Sequence, residues 1–420
     1  MHQGRGRPTA AQGVILGYTP RLVHDRAPAR MHDFEPRSSV IRLRARLARR
    51  LTWWAIGGVA AVLATGLLVL VVAAACAARA WLAIESGQPV ETVMWVGAML
   101  VMALAAVGLL NALSTGVPVA EGVRLPRAVA PDLFALLDEL AAQTAVAPVH
   151  VVRITGEINA AVMQRPALNL VGPLRTELLV GLPLVHSVSP EQFAAVLAHE
   201  FGHLAAQRRG RDGWSAHVRA WWARILNAVI DDEVGDGRWL DRAAERYFLD
   251  MQRLARMEEF EADAVAARLV GAELVGETLV ELSRKAHFLE HDYWPRVQAL
   301  RSSDAGSRVR PFREMGHGVL AGYAQAAAAC ADVVEGVRDR RHDLHPTPRR
   351  RLRALRVACR QFQLPLPQGA GSAAERFFAG LVPTLAWVFD REWCEYSRSP
   401  RHPMLGAEQV ASVQGFVARR

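Results

Sequence analysis

The hydrophobic pattern divides the chain into a long apolar beginning and a mixed remainder. Leu51 to Ala78 is apolar almost throughout, with Thr52 and Thr65 as its only polar residues. A second uncharged run covers Val93 to Leu113. A helix needs about 20 apolar residues to cross a bilayer. The two runs therefore predict two membrane-spanning helices joined as a hairpin. Trp53, Trp54, Trp81 and Trp95 stand near the expected span ends, where interfacial aromatics belong. Arg37, Arg42, Arg44, Arg46, Arg49 and Arg50 precede the first span, while the connector sets Arg79 against Glu85 and Glu91. The positive-inside rule keeps the arginine-rich side in the cytoplasm. The expectation is a two-span, multi-pass protein of the cell inner membrane whose remaining chain returns to the cytoplasm. Residues 1–36 are rich in Gly, Pro, Arg and His without periodicity and read as a disordered tail, with no apolar core of a secretory signal.

Beyond the hairpin the periods shorten. Pro131 to Gln143 keeps Leu133, Leu136, Leu137 and Leu140 on one helical face. Val149 to Ile154 and Glu177 to Val180 read as strands, with a loop through Glu157 and Asn159 between them. The second strand leads toward a helix and is expected as an exposed platform for an extended peptide. Trp214 to Ile230 is too short and too charged to span, and reads as a packing helix rather than one lying on a bilayer surface. From 272 onward the pattern is mostly helical, with a Pro/Gly linker at Leu364 to Gly369. A short apolar run, Phe377 to Phe389, reads as a buried helix and not a third span.

The chemistry concentrates in Ala198-His199-Glu200-Phe201-Gly202-His203-Leu204. Ser189, Pro190 and Gln192 form a capping-box pattern before it, and Phe193, Val196, Leu197 and Leu204 supply an apolar helical stripe. Positions four apart share a helix face, so His199 and His203 can aim two imidazoles at one metal ion. Glu200 beside them is placed to take a proton from a water, the arrangement of a zinc peptidase. Two surface histidines on an amphipathic helix are the plain alternative. Catalytic zinc commonly takes three protein ligands. The best further donor stretch is Glu258 to Asp263, where Glu259 and Asp263 share a face and Glu261 points elsewhere. That pair suits a ligand and an acid that orients a neighbouring group; a solvated acidic face is the alternative.

Composition narrows the classes. The net charge is +9, and Lys285 is the single lysine, so the basic excess is arginine. The arginines are dispersed and show no aromatic-interleaved basic motif, which argues against a nucleic-acid partner. Cys76, Cys330, Cys359 and Cys394 form no C-x-x-C pair and suggest no disulfide framework.

H-E-F-G-H, then E-F-E-A-D, then His345-Pro346-Thr347-Pro348-Arg349-Arg350-Arg351 resembles the membrane metallopeptidase family forty-eight, which includes CAAX prenyl protease and the HtpX-type heat-shock protease. The likeness covers about residues 130–355. It implies that Glu259 is the third zinc ligand, Asp263 the acid behind the ligands, and that His345 and Arg351 steady the site or the oxyanion. Both spans here precede the metal helix, unlike the chambered prenyl protease, so a prenylated substrate is not expected.

The resulting expectation is a mainly α protein: an α+β zincin-like catalytic domain with a small sheet, behind a two-helix transmembrane hairpin. The parts are a tail (1–36), a basic juxtamembrane segment (37–50), the hairpin (51–118), the peptidase domain (119–360) and a C-terminal helical extension (361–420). Its function is zinc-dependent endopeptidase chemistry, with one Zn2+ per chain held by His199, His203 and Glu259, and with Glu200, His345 and Arg351 as catalytic groups. The partners are the bilayer and a membrane-associated or misfolded polypeptide. The rivals are an inactive membrane scaffold that keeps the peptidase fold and a basic membrane-surface or nucleic-acid binder with a structural metal.

Overall fold

The computed structural model describes residues 38–113, 122–168, 171–208, 213–231, 238–303, 309–326, 334, 345–358 and 371–396. The tail expected over 1–36, the linker at 364–369 and the end of the chain beyond 396 lie outside the described residues. The architecture is mainly helical with one four-stranded sheet.

Helices α1 (Ser38–Glu85) and α2 (Pro89–Leu113) form the hairpin. Gly87, at φ +68°, closes the turn between them, a conformation glycine adopts without strain. Both helices are long and apolar enough to cross a membrane. Leu63, Leu67, Leu70, Leu104 and Leu110 are each more than half exposed along them. An exposed apolar surface this continuous marks an interaction face, for a bilayer or another protein. Thr52 and Thr65 return their hydroxyls to the carbonyls of Ala48 and Ala61, at 2.8 and 2.9 Å, so neither polar group is orphaned. At about 1.5 Å per residue, the 48 residues of α1 make a rod of roughly 70 Å, over twice an apolar bilayer core. Only part of that length would be needed to cross a bilayer, and its first turns pack on the rest of the chain, with Leu51 buried against Leu226, Ala244, Tyr247, Phe248 and Leu254.

The sheet comprises β1 (Val123–Leu125), β2 (Val151–Thr155), β3 (Ala160–Leu168) and β4 (Val171–Gly181), in the order β1-β2-β4-β3. Strands β2 and β4 run parallel, and the other pairs antiparallel. Alternate residues Val152, Ile154, Leu178 and Val180 are fully buried. Two expectations change here. The stretch after Asn159 is a nine-residue strand, β3, not only loop. The expected platform strand, Glu177 to Val180, is interior, flanked by β2 and β3, so its edges are already paired; β1 and β3 are the edges of the described sheet, and β3 is the one that packs beside α5.

Helices α3 (Pro131–Thr144), α4 (Leu182–Ser187) and α5 (Pro190–Arg208) cover the sheet, sharing its core through Leu133, Leu137, Leu184, Phe193, Leu197 and Phe201. Helix α6 (Gly213–Asp231) packs against both hairpin helices, with Trp221 Nε1 donating to the carbonyl of Leu113 at 3.1 Å. Then follow α7 (Arg238–Val270), α8 (Ala272–Phe288), α9 (Trp294–Ser303), α10 (Pro311–Ala326) and α11 (Pro348–Ala354). The last two are α12 (Ala373–Phe378) and α13 (Val382–Tyr396). Phe377 and Phe378 meet Phe193 with ring centroids 5.7 and 6.4 Å apart. Leu385 and Phe389 of α13 join the same core. The described part of the C-terminal extension thus packs into the core that supports α5.

Candidate metal centre

Helix α5 begins as its sequence directs. The Ser189 backbone N–H donates to Gln192 Oε1 at 3.1 Å, and the Gln192 N–H donates to Ser189 Oγ at 3.2 Å, closing a capping box. Phe193, Leu197, Phe201 and Leu204 anchor one face in the core, which leaves His199, Glu200 and His203 half-buried on another. Helix α7 crosses α5 at Gly202. A Cβ built there would stand 2.7 Å from Cα of Ala262 and 2.8 Å from its carbonyl oxygen. The glycine between the two histidines is therefore what lets the backbones touch. That contact brings Glu259 and Asp263 of α7 up to the imidazoles.

The donor atoms converge. His199 Nε2 and His203 Nε2 are 3.2 Å apart. Glu259 Oε1 is 3.3 Å from His203 Nε2, and Glu259 Oε2 is 3.6 Å from His199 Nε2. Ligands at about 2.0–2.2 Å from a tetrahedral ion are about 3.3–3.6 Å from one another. The three separations lie close to that edge length, with the two to Glu259 running to its separate oxygens. Glu259 Oε2 is buried and accepts no well-aligned hydrogen bond among the described residues; its neighbours are Arg351 Nη1 at 3.2 Å and His199 Nε2 at 3.6 Å. His199, Glu200 and His203 also place one donor atom each within 4.8 Å of one another. Of the two acids, Glu259 lies within 3.6 Å of both rings through separate oxygens, so it is the better ligand. The donor set of two imidazoles and a carboxylate fits a divalent zinc-like ion.

Behind the donors is a layer of ion pairs. Asp263 Oδ1 is 3.0 Å from His199 Nδ1, which directs the other ring nitrogen toward His203 and Glu259. Arg351 of α11 donates to Asp263 through Nε at 2.8 Å and Nη2 at 2.6 Å, and its Nη1 lies 3.2 Å from Glu259 Oε2. Its side chain is 13% exposed, so it is no surface arginine. His345 differs: its Nδ1 is 3.0 Å from Glu259 Oε1, but its side chain is 64% exposed. Glu200 faces β3, where its Oε2 accepts the Val162 backbone N–H at 3.1 Å. That main-chain contact has no side-chain signature and was not readable from the sequence.

The electrostatics follow the geometry. Burial disfavours the Glu259 anion, yet the hydrogen bonds from His203 and His345 and the Arg351 charge hold its carboxyl far below the usual range. Burial also opposes ionisation of Asp263, but the Arg351 guanidinium and His199 bring it down to about 2. Burial disfavours charging His203, and the hydrogen bond to Glu259 with the charge of Glu200 outweighs it, raising the pKa. A positive charge is thus favoured between these rings, whether it arrives as a proton or as a metal ion.

Residues 170–358 match the sequence model described as peptidase family M48. No curated protein and no solved structure matches the chain.

Proposed function

We propose, from the premise that the chain belongs to peptidase family M48 over residues 170–358, that it is a membrane-anchored zinc endopeptidase. His199, His203 and Glu259 hold the ion. The observation that carries this reading is the set of separations of 3.2, 3.3 and 3.6 Å among their donor atoms. Zinc, when bound, supplies Lewis-acid polarisation of a carbonyl and makes a water more acidic.

The chain's own residues do the rest. Glu200, its carboxylate fixed by the Val162 N–H, takes a proton from water as the water oxygen attacks the scissile carbonyl carbon. The C–N bond then breaks, and Glu200 returns the proton to the leaving amine, ending as a carboxylate. Arg351 is committed to Asp263 and Glu259, and so keeps the ligand Glu259 and the supporting Asp263 in place instead of reaching substrate. The exposed His345 is the member of the late motif positioned to meet substrate, as a donor to the oxyanion. The substrate is a membrane-associated or misfolded polypeptide, extended along the β3 edge by main-chain hydrogen bonds. The bilayer holds α1 and α2, and the arginine-rich end of α1 sets the catalytic domain in the cytoplasm.

The test is Glu200→Gln. Zinc content stays at the wild-type level, while hydrolysis of a casein-like substrate falls by about 10²–10⁴-fold, the worth of a positioned general base. Undiminished cleavage removes Glu200 from the mechanism.

A further inference from the structure

The arginines ahead of a first span are ordinarily topological charges, solvated and interchangeable. Arg50 is exposed but reaches Asp250, while Arg42, Arg46 and Arg49, also exposed, fit that description. Arg44 does not: its side chain is 12% exposed. Its Nε lies 3.2 Å from Glu261 Oε1 and its Nη1 3.9 Å from Glu258 Oε1, while Nη2 donates to the Ala206 carbonyl at 3.4 Å. Glu258 and Glu261 bracket Glu259 on α7. Ala206 lies three residues beyond His203 on α5. One guanidinium from the foot of the anchor helix thus bridges both helices that carry the donor atoms.

We propose that Arg44 is a positioning residue for the metal centre, acting through Glu258, Glu261 and Ala206, so that the base of α1 is a part of the site and not a tether. The claim rests on the zinc reading above.

The physical grounds are three. The acids beside Arg44 are poorly solvated, with side-chain exposures of 7% for Glu261 and 20% for Glu258, so the ion pairs are weakly screened. Removing one partner of such a cluster leaves buried charge that the helix must move to solvate. A planar fork serves two acids and a carbonyl at once, which a point-charge ammonium does not. And the segment is seated: Leu47, Ala48 and Leu51 pack with Leu226, Tyr247 and Leu254, and Arg219 Nη1 donates to Thr52 Oγ1 at 3.0 Å. Movement of this turn is therefore transmitted to α7. Arg50 supplies the control, since from the same helix α1 and a side chain 64% exposed it pairs with Asp250 of α7, nine residues before Glu259, and not with α5.

The experiment uses the full chain in detergent micelles. Zinc affinity is measured by competition with a chromophoric chelator, the cobalt(II)-substituted protein is examined by visible absorption, and folding is followed by thermal melting. Arg44→Gln is expected to bind zinc about tenfold more weakly, the low end of what residues that orient ligands cost, with a shifted cobalt spectrum. Arg44→Lys falls between it and wild type, and Arg50→Gln stays within about twofold of wild type. A folded Arg44→Gln with wild-type affinity and spectrum overturns the proposal, as does an equal loss in Arg50→Gln. Failure of both Arg44 variants to fold also overturns it, because Arg44 is then a determinant of the domain and not of ligand placement. A wild-type chain that binds no zinc overturns the zinc reading itself, and this proposal with it; a zinc-binding wild type with an insensitive Arg44 overturns only the proposal.

Discussion

Helices α5 and α7 each supply donors to one centre, yet they are built on opposite terms. Helix α5 is held by its apolar face, and its two imidazoles stand partly open to the cleft. Helix α7 buries four acids, Asp250, Glu259, Glu261 and Asp263. Each is met by a cation from elsewhere: Arg50, Arg351 with His345, Arg44, and Arg351 again. Buried carboxylates are tolerated only when paired. The chemistry of α5 is thus encoded within five residues, whereas that of α7 is encoded in partners that lie as far as 217 positions away, from Arg44 to Glu261. On the proposed zinc reading, local motifs report which helix carries the imidazole ligands, and the distant cations decide whether the third ligand is in place.

The largest effect should come from breaking the pairing of α7. Asp263→Asn leaves Arg351 with no full countercharge at that end and weakens the acceptor for His199 Nδ1. The expected outcome is a stability loss of about 3–5 kcal/mol in thermal or denaturant unfolding, with zinc affinity down about 10–100-fold. A near-neutral result would mean that the acids of α7 are decorative and the contrast with α5 is false. Next is the crossing point. Gly202→Ala improves helix propensity by about 1 kcal/mol but drives a methyl into the Ala262 backbone, which has no room to yield. A net loss of about 1–3 kcal/mol, with weaker zinc binding, is expected from the forced separation of the helices. A more stable Gly202→Ala protein with unchanged affinity would show that the close approach does not set the ligand distances.

A third histidine separates burial from acid pairing. His186 on α4 is buried, its Nε2 has no hydrogen-bond partner among the described residues, and burial depresses its pKa to about 4, with only a partial offset from Glu375. His203, half-buried and beside Glu259, shifts the other way. Between about pH 6.5 and 4 the unfolded chain binds the His186 proton and the folded chain does not, so stability falls as pH falls through that window. The full loss is about 3 kcal/mol for a shift of this size. Comparing the melting of wild type and His186→Leu at pH 7 and pH 4.5 isolates it: the acid-induced drop should be smaller in the variant. Equal drops would mean that the His186 ring is solvated on folding.

What was legible in the sequence follows the same division. The capping box, the apolar stripe and H-E-x-x-H lie within one helix and were readable, as were the two uncharged runs. The shared face of Glu259 and Asp263 was readable as spacing, and the late motif named His345 and Arg351, but only the fold shows which acids those two side chains pair with. Strand β3 was missed because Gln164, Arg165 and Pro166 interrupt the apolar alternation, and its conformation is set by pairing with β4. The substrate platform was accordingly placed on β4, one strand too far in. Arg44 left a faint signal: Arg44, Leu47, Ala48 and Leu51 continue one helical face upstream of the apolar run. Arginines there read first as topology, which hid it.

The most direct measurement is metal content by elemental analysis, paired with peptidase activity, on wild-type chain and Glu259→Ala in the same micelles. The account predicts about one zinc per wild-type chain, and loss of both zinc and activity in a variant that still melts cooperatively. A Glu259→Ala protein that keeps stoichiometric zinc and cleaves at the wild-type rate would contradict it.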